Sequence, residues 1–486
     1  MNYASLEFFA FLAWLVPVYW LVGSRGPRAA LLLAASLAFY AWSGLFDVAV
    51  FLAVVALSYA AARLAGAFPA RRGFFLACAV ALLALHLVFW KYGAAMASTF
   101  AARRLAAAIL LPLPLGISFF TFQGVSFLVD YWRGSAQMVG VEDYLLFHAL
   151  FAHMLAGPIV RAKELMGQLA RLDDPTPEDW TLGAALFARG LVKKMLVADR
   201  VAPFVDMVFA CPGKWGRQAL VWGVVGFALQ LWGDFSGYTD MGRGAARMLG
   251  IRLPENFYSP WLSRTPGEFW ERWHVTLSRW ARDYVFWPLR DWALAPMVAA
   301  LLLGLWHGGR WTFFLWGFYF RALAVGEDAL ERSPFARAWT RLPDAFRRLV
   351  LLPLTLSLNV SGVLLFRATS LSNAAEYALA LARGPLGVAA GAGFSVGVLQ
   401  RHFYAAAALT MGMELLFYRG LQDRRWRPFG IVDGQALSRA AAGLLSRRPA
   451  AAAAVGALAG AAVAFAGLAA ILFRQGEATA FVYFRF

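Results

Sequence analysis

The chain has 486 residues, of which 61% are hydrophobic and 15% charged, and its net charge is +17. Soluble domains are about 45–50% apolar and about 25% charged, so the composition excludes an ordinary soluble protein and predicts a polytopic membrane protein. The basic residues cluster in short loops between apolar runs, which is typical of positive-inside cytoplasmic loops. The lipid bilayer is therefore a predicted partner, and nucleic acid is not.

The apolar runs predict the membrane segments, because a helix needs about 20 apolar residues to span a bilayer. In chain order the runs are 6–22, 29–41, 46–62, 74–90, 105–129, 143–160, 181–201, 218–234, 293–306, 311–326, 346–366, 374–396, 402–418 and 450–473. Several are too short or too polar to cross alone. We expect an all-α fold with roughly 11–13 transmembrane or re-entrant helices in a single membrane domain over residues 1–486.

The first runs carry two further signals. No basic segment precedes the run 6–22, and Arg25 and Arg28 follow it, which predicts a retained span with its N-terminus outside the cytoplasm. The segment 29–62 is either two short spans that break at residues 42–44 or one long tilted helix.

Residues 235–292 differ from the rest because they are polar, basic and rich in tryptophan. Within them, Thr265 is a predicted helix N-cap, followed by Pro266 at the first helical position and Glu268 at the third. We expect this helix to continue to about Tyr284, which would place His274 and Ser278 on one face.

Two histidines are the candidate catalytic residues. His307 ends the short apolar run 293–306, and an ionisable group at such a place is costly and usually functional. Gly308 and Gly309 follow it and leave room for a substrate or another backbone. The alternative for His307 is a structural hydrogen bond near the interface, and for His274, which lies beside Trp273, an interfacial position.

Other motifs favour structural roles or are missing. Asp234 and Asp240 could form a cation or proton site, but pairing with Arg243 and Arg247 or helix capping is favoured. The sequence has no GxSxG elbow, P-loop or HExxH pattern, which argues against serine hydrolases, P-loop ATPases and zincins. The two distant cysteines indicate neither a disulfide framework nor a metal site.

Six stretches, in this order, carry a family resemblance: PLGISFFTFQ (114–123), AGPIVR (156–161), DFSGYTDM (234–241), LPENF (253–257), FWERWH (269–274) and GLWHG (304–308). The closing residues 481–486 fit as well. Together they resemble the membrane-bound O-acyltransferase (MBOAT) family, in the bacterial branch of the alginate O-acetylation protein. The region 290–292 is shorter than the glycine-rich and basic insertion of many relatives, which leaves the acceptor open.

The resemblance implies a helical fold around a central tunnel, with a catalytic core over residues 235–310. It implies acyl transfer from acetyl-CoA, as a substrate rather than a bound cofactor, to an acceptor across the bacterial inner membrane. It also implies a periplasmic partner with an SGNH-hydrolase-like fold and a cell-surface polysaccharide acceptor. Further candidates for substrate or donor binding are Asn256, Asp234, Trp306, Arg272 and Arg282, with Lys193 and Lys194 as candidate phosphate contacts.

The chemistry of thioester acyl transfer suggests roles for the two histidines. A neutral imidazole suits a general base, because its ordinary pKa is about 6.5, and His307 is assigned that role. His274 would orient the acceptor or stabilise the oxyanion, and an acyl-histidine intermediate is a variant route. The rival functions are a transporter or export subunit without covalent chemistry, and an assembly scaffold. Alginate, cellulose, another exopolysaccharide and a D-alanylated teichoic-acid-type polymer all remain open as products.

Overall fold

The computed structural model describes residues 2–99, 113–155, 157–387 and 396–422. Within these ranges the regular structure is helical and contains no β-strand, which confirms the all-α prediction. The apolar run 450–473 and the closing residues 481–486 lie outside the described residues.

The described α-helices are α1 (Leu6–Leu21), α2 (Arg25–Ala41), α3 (Leu45–Ala67), α4 (Arg72–Thr99), α5 (Ile117–Trp132), α6 (Val141–Ala149), α7 (Phe151–Met154), α8 (Ala162–Leu169), α9 (Pro177–Val192), α10 (Asp199–Ala210), α11 (Arg217–Met248), α12 (Pro266–Arg272), α13 (Val275–Ala281), α14 (Ala295–His307), α15 (Trp311–Arg332), α16 (Pro334–Trp339), α17 (Asp344–Arg367), α18 (Leu371–Arg383) and α19 (Val396–Gln422).

The segment 29–62 forms two helices rather than one. Helix α2 ends at Ala41 and α3 begins at Leu45. Gly44 joins the two helices with φ +134°, a backbone conformation that residues other than glycine rarely adopt. The tight turn therefore settles the alternative that the apolar pattern left open.

Several helices have the length and composition of membrane spans. Among the described residues, four are long and apolar enough to cross a bilayer: Leu45–Ala67, Pro69–Gly93, Arg217–Met248 and Asp344–Arg367. Three shorter apolar helices are Leu6–Leu21, Ala295–His307 and Phe403–Leu416. The expected total of spans stays a prediction, since shorter helices cross only when tilted or embedded in protein.

The described chain divides into two compact units. One takes the described residues within 2–191 and 238–254, and the other takes the described residues within 192–237 and 255–422. Both candidate histidines belong to the second unit, and the expectation of a single membrane domain stays a prediction.

In the first unit, a buried ion pair joins α9 and α11. Asp240 is 1% exposed, and its carboxylate accepts hydrogen bonds from Arg189 Nε at 2.8 Å and Nη2 at 2.5 Å. Arg243 Nη1 lies 3.7 Å from the same carboxylate. A carboxylate in an apolar interior is tolerable only with such compensation, so the structure supports ion pairing for Asp240. Its main partner is Arg189 rather than the predicted Arg247, which lies 2.8 Å from Asp179 instead.

We expect Asp240→Asn to lower the free energy of unfolding by about 3–5 kcal/mol, because it removes the buried charge that compensates the largely buried guanidinium groups of Arg189 and Arg243. Denaturant unfolding in detergent measures the change. The matched control is Asp173→Asn, which removes the carboxylate of an exposed pair with Arg171 and should shift stability by less than about 1 kcal/mol. Equal effects of the two substitutions would contradict the prediction.

Candidate active site

His307 is the last residue of α14 and lies on a close helical hairpin. A Cβ on Gly317 of α15 would lie 2.6 Å from the Ala300 carbonyl oxygen, and one on Gly304 would overlap the Phe313 carbonyl oxygen. The two glycines therefore let α14 and α15 approach closely, which holds the end of α14 against the second helix.

The His307 ring lies in an aromatic enclosure. The centroid of the imidazole lies 4.6 Å from the ring centroid of Trp306, 5.2 Å from that of Trp316 and 4.7 Å from that of Phe366. The last two rings stand nearly edge-on to the imidazole. The residue is 6% exposed. Aromatic walls exclude water and lower the local dielectric constant, so electrostatic interactions with His307 are stronger than in solvent.

His274 interrupts the helix that the sequence predicts over residues 266–284. The predicted start is confirmed, since the Thr265 side chain accepts a hydrogen bond from Glu268 N. The predicted continuation is wrong: α12 ends at Arg272, and α13 begins at Val275. Between them His274 has a left-handed backbone (φ 43°, ψ 51°) and acts as the N-cap of α13, which is uncommon for a residue with a side chain.

His274 and Ser278 therefore do not belong to one continuous helix, although both line the same cavity. The His274 carbonyl instead accepts the hydrogen bonds of Leu277 N and Ser278 N that start α13. Strained backbone of this kind persists where the surrounding structure fixes it, and it is frequent at functional sites.

Asn256 determines which nitrogen of His274 carries the proton. The Asn256 Oδ1 atom accepts a hydrogen bond from the backbone N–H of Thr276 at 3.2 Å, which identifies it as the oxygen. His274 Nδ1 lies 3.0 Å from the same oxygen, so Nδ1 must donate. In the neutral ring, Nε2 is then the hydrogen-bond acceptor.

Burial keeps His274 in this neutral form. The residue is 2% exposed, and desolvation lowers the pKa of its imidazole from 6.5 to about 3. Its Nε2 atom is buried and has no hydrogen-bond partner among the described residues. His274 therefore presents a buried acceptor for a hydrogen bond.

Both histidines line one cavity. Its lining residues are mostly aromatic or aliphatic: Leu231, Trp261, Phe269, Trp270, Trp273, His274, Leu277, Ser278, Leu303, His307, Trp316, Phe320, Asn359, Val363 and Phe366. An apolar pocket with a few convergent polar groups is typical of a small-molecule or cofactor-tail site. The wider tunnel stays a prediction.

None of the other candidate residues is among those that line this cavity, but two of them contact the histidines. Trp306 has its ring centroid 4.6 Å from His307 and 6.4 Å from His274, and Asn256 lies behind His274. Arg272 forms an ion pair with Glu268 on α12, and Arg282 forms one with Asp283 at 2.9 Å. Neither arginine lines the cavity, so their contacts with a donor stay predictions.

Asp234 belongs to a buried ionic cluster. Lys194 Nζ lies 2.7 Å from Asp234 Oδ1 and 2.9 Å from Asp199 Oδ1, and the lysine side chain is fully buried. The neighbouring Lys193 ammonium lies 4.8 Å from the centroid of Trp232. The Lys194 charge is thus compensated by carboxylates, which argues against its predicted contact with a phosphate.

Sequence reasoning missed Asn359 and Trp261 as cavity residues. Asn359 is 1% exposed and lies on α17, one of the candidate membrane spans. The signal was present, because a single amide inside the apolar run 346–366 is a polar group at membrane depth, which usually faces a cavity. Trp261 lies in a short 3₁₀ helix (Pro260–Leu262) whose position the sequence pattern does not determine.

Comparisons with known proteins agree with the resemblance. Residues 109–353 match the model of MBOAT, the membrane-bound O-acyltransferase family. The probable alginate O-acetylase of Azotobacter vinelandii is 34% identical over 350 residues, 68% of this chain and 69% of that protein. The peptidoglycan O-acetyltransferase of Helicobacter pylori is 32% identical over 241 residues, 43% of this chain and 46% of that protein.

A more distant relative is the teichoic acid D-alanyltransferase of Bacillus subtilis, 26% identical over 237 residues, 45% of this chain and 60% of that protein. The helical fold and its apolar spans define a multi-pass membrane protein. The chain belongs to the MBOAT family.

The lowered pKa of His274 predicts how stability depends on pH. An unfolded chain binds the His274 proton near pH 6.5, whereas the folded chain binds it only near pH 3. Folding is therefore progressively destabilised as the pH falls below about 6.5. His274→Asn tolerates the left-handed backbone and cannot titrate, so its melting temperature should fall less between pH 7 and pH 4 than that of the wild type. Parallel curves for the two proteins would contradict the prediction.

Proposed function

We propose that this chain is a membrane O-acyltransferase that moves an acetyl group from acetyl-CoA across the membrane for O-acetylation of a cell-surface polysaccharide. The observation that carries the proposal is the apolar cavity that His274 and His307 both line. Family membership supplies the reaction class, and the names of the O-acetyl-transferring relatives support the acetyl group and the saccharide acceptor.

His307 is the general base in the proposed mechanism. Its imidazole takes the proton from the acceptor hydroxyl while that oxygen attacks the thioester carbonyl carbon. The tetrahedral intermediate then collapses, the carbon–sulfur bond breaks, and the leaving thiolate takes the proton from the imidazolium. The products are the O-acetyl ester and free coenzyme A. The aromatic enclosure supports this role because it excludes water, which would otherwise hydrolyse the thioester.

His274 orients the acceptor in this mechanism. With Nδ1 bound to Asn256, its Nε2 atom accepts a hydrogen bond from a hydroxyl. The same tautomer has no hydrogen on Nε2 with which to stabilise an oxyanion. Of the two roles open for His274, the orienting role is therefore favoured.

The lining of the cavity favours acetyl over D-alanyl transfer. A D-alanyl group carries an ammonium, and burying a charge requires a compensating partner. None of the residues that the structure places along this cavity is an aspartate or glutamate. An uncharged acetyl group fits such a lining without that penalty.

The same proposal places the protein in the bacterial inner membrane. Acetyl-CoA is a cytoplasmic donor and the polysaccharide lies outside, so the enzyme must reach both sides of the membrane that bounds the cytoplasm. A periplasmic SGNH-hydrolase-like protein that hands the acetyl group to the polysaccharide is the proposed partner, and the MBOAT resemblance supports it.

His307→Ala should lower acetyl transfer by about 10²–10⁴-fold, the usual contribution of a general base. Membranes incubated with acetyl-labelled acetyl-CoA and alginate oligosaccharides provide the measurement, as label recovered in the saccharide or a protein ester. The control is His86→Ala, since His86 lies on α4 of the other unit and accepts a hydrogen bond from Trp90 at 2.9 Å. Full transfer by His307→Ala would refute the assignment. A transporter without covalent chemistry would cleave no thioester even in the wild type.

A further inference from the structure

Asn359 is the buried polar residue on the α17 side of the cavity. It lines the cavity together with Val363 and Phe366, which follow it by four and seven residues and so lie on the same helical face. The other two α17 residues in the lining are apolar, so the amide is the one polar group that α17 contributes to it.

The Asn359 amide oxygen is buried and has no hydrogen-bond partner among the described residues. Leaving a buried acceptor unsatisfied destabilises a protein, because the atom loses its hydrogen bonds to water and gains none in return. An apolar residue of similar size would avoid that cost, since its neighbours are apolar. The Asn359 amide oxygen therefore destabilises the ligand-free chain. A ligand that donates a hydrogen bond to this oxygen would remove the destabilisation.

We propose that Asn359 is a substrate-binding residue whose amide oxygen accepts a hydrogen bond from an O–H or N–H group of a bound substrate. The proposal rests on the proposed acyltransferase function. Two sources offer this chemistry: a hydroxyl of the saccharide acceptor, and an amide N–H of the pantetheine arm of acetyl-CoA. His274 Nε2 is a second buried acceptor in the same lining, so the cavity is complementary to a ligand that donates hydrogen bonds.

The test uses the full-length chain in detergent or nanodiscs with Asn359→Leu, a nearly isosteric apolar substitution. Two steady-state titrations, of acetyl-CoA and of alginate oligosaccharides, give the KM for each probe. Loss of one hydrogen bond should raise the KM of one probe about three- to tenfold, and the probe affected identifies the source. The ligand-free melting temperature should stay equal to that of the wild type or rise. Asn359→Ala provides a second variant if the leucine does not fit, with the same expected change in KM.

Asn373→Leu is the matched control. Its side chain is satisfied, because Nδ2 donates to the Phe209 carbonyl at 3.1 Å and Oδ1 accepts from Thr369 N at 3.3 Å. This variant should lower the melting temperature and leave both KM values unchanged, the opposite signature.

Unchanged KM values for both probes in the Asn359 variants, with an active wild type, would overturn this inference alone. A lowered ligand-free melting temperature of Asn359→Leu with unchanged KM values would show a structural role instead. A wild-type chain that transfers no acetyl group from acetyl-CoA, either to a saccharide or to its proposed periplasmic partner, would overturn the proposed function as well.

Discussion

The hydrogen bond from His274 Nδ1 to Asn256 Oδ1 is the interaction on which the chemistry of the cavity depends. Because the oxygen is also held by the backbone N–H and the hydroxyl of Thr276, it can act only as an acceptor. One tautomer of the imidazole follows, and with it an Nε2 acceptor on the cavity wall. The left-handed backbone at His274 serves the same end, since it separates α12 from α13 and allows the side chain to reach Asn256.

A second constraint is the absence of water from an apolar interior. Polar groups there must be paired or must face a cavity. Two buried carboxylates are paired: Asp240 with Arg189, and Asp234 with Lys194. His274 and Asn359 face a cavity instead, and each has a buried acceptor atom that no described residue satisfies. The distinction separates residues that stabilise the fold from those that a substrate can contact.

The two histidines reach one cavity by different structural means. His307 is placed by a helical hairpin whose glycines permit close packing of α14 on α15. His274 is placed by a break in a polar segment and by a hydrogen bond to a residue eighteen positions earlier in the chain. In the proposed mechanism, the general base thus lies at the end of a regular helix and the orienting group lies on strained backbone.

The sequence alone determined the all-helical membrane class, the family and the Thr265 cap, and it indicated the two candidate histidines. It could do so because composition, apolar run length and local motifs act over short stretches of chain. The break at His274, the tautomer that Asn256 imposes and the partners of Asp234 and Asp240 came only from the tertiary structure. Helical periodicity runs through residues 266–284 without a breaking residue, so the local pattern favours a continuous helix. Long-range hydrogen bonding to Asn256 decides otherwise. Asn359 shows the same limit: its polarity is visible in the sequence, but only packing shows that the amide faces the histidines' cavity.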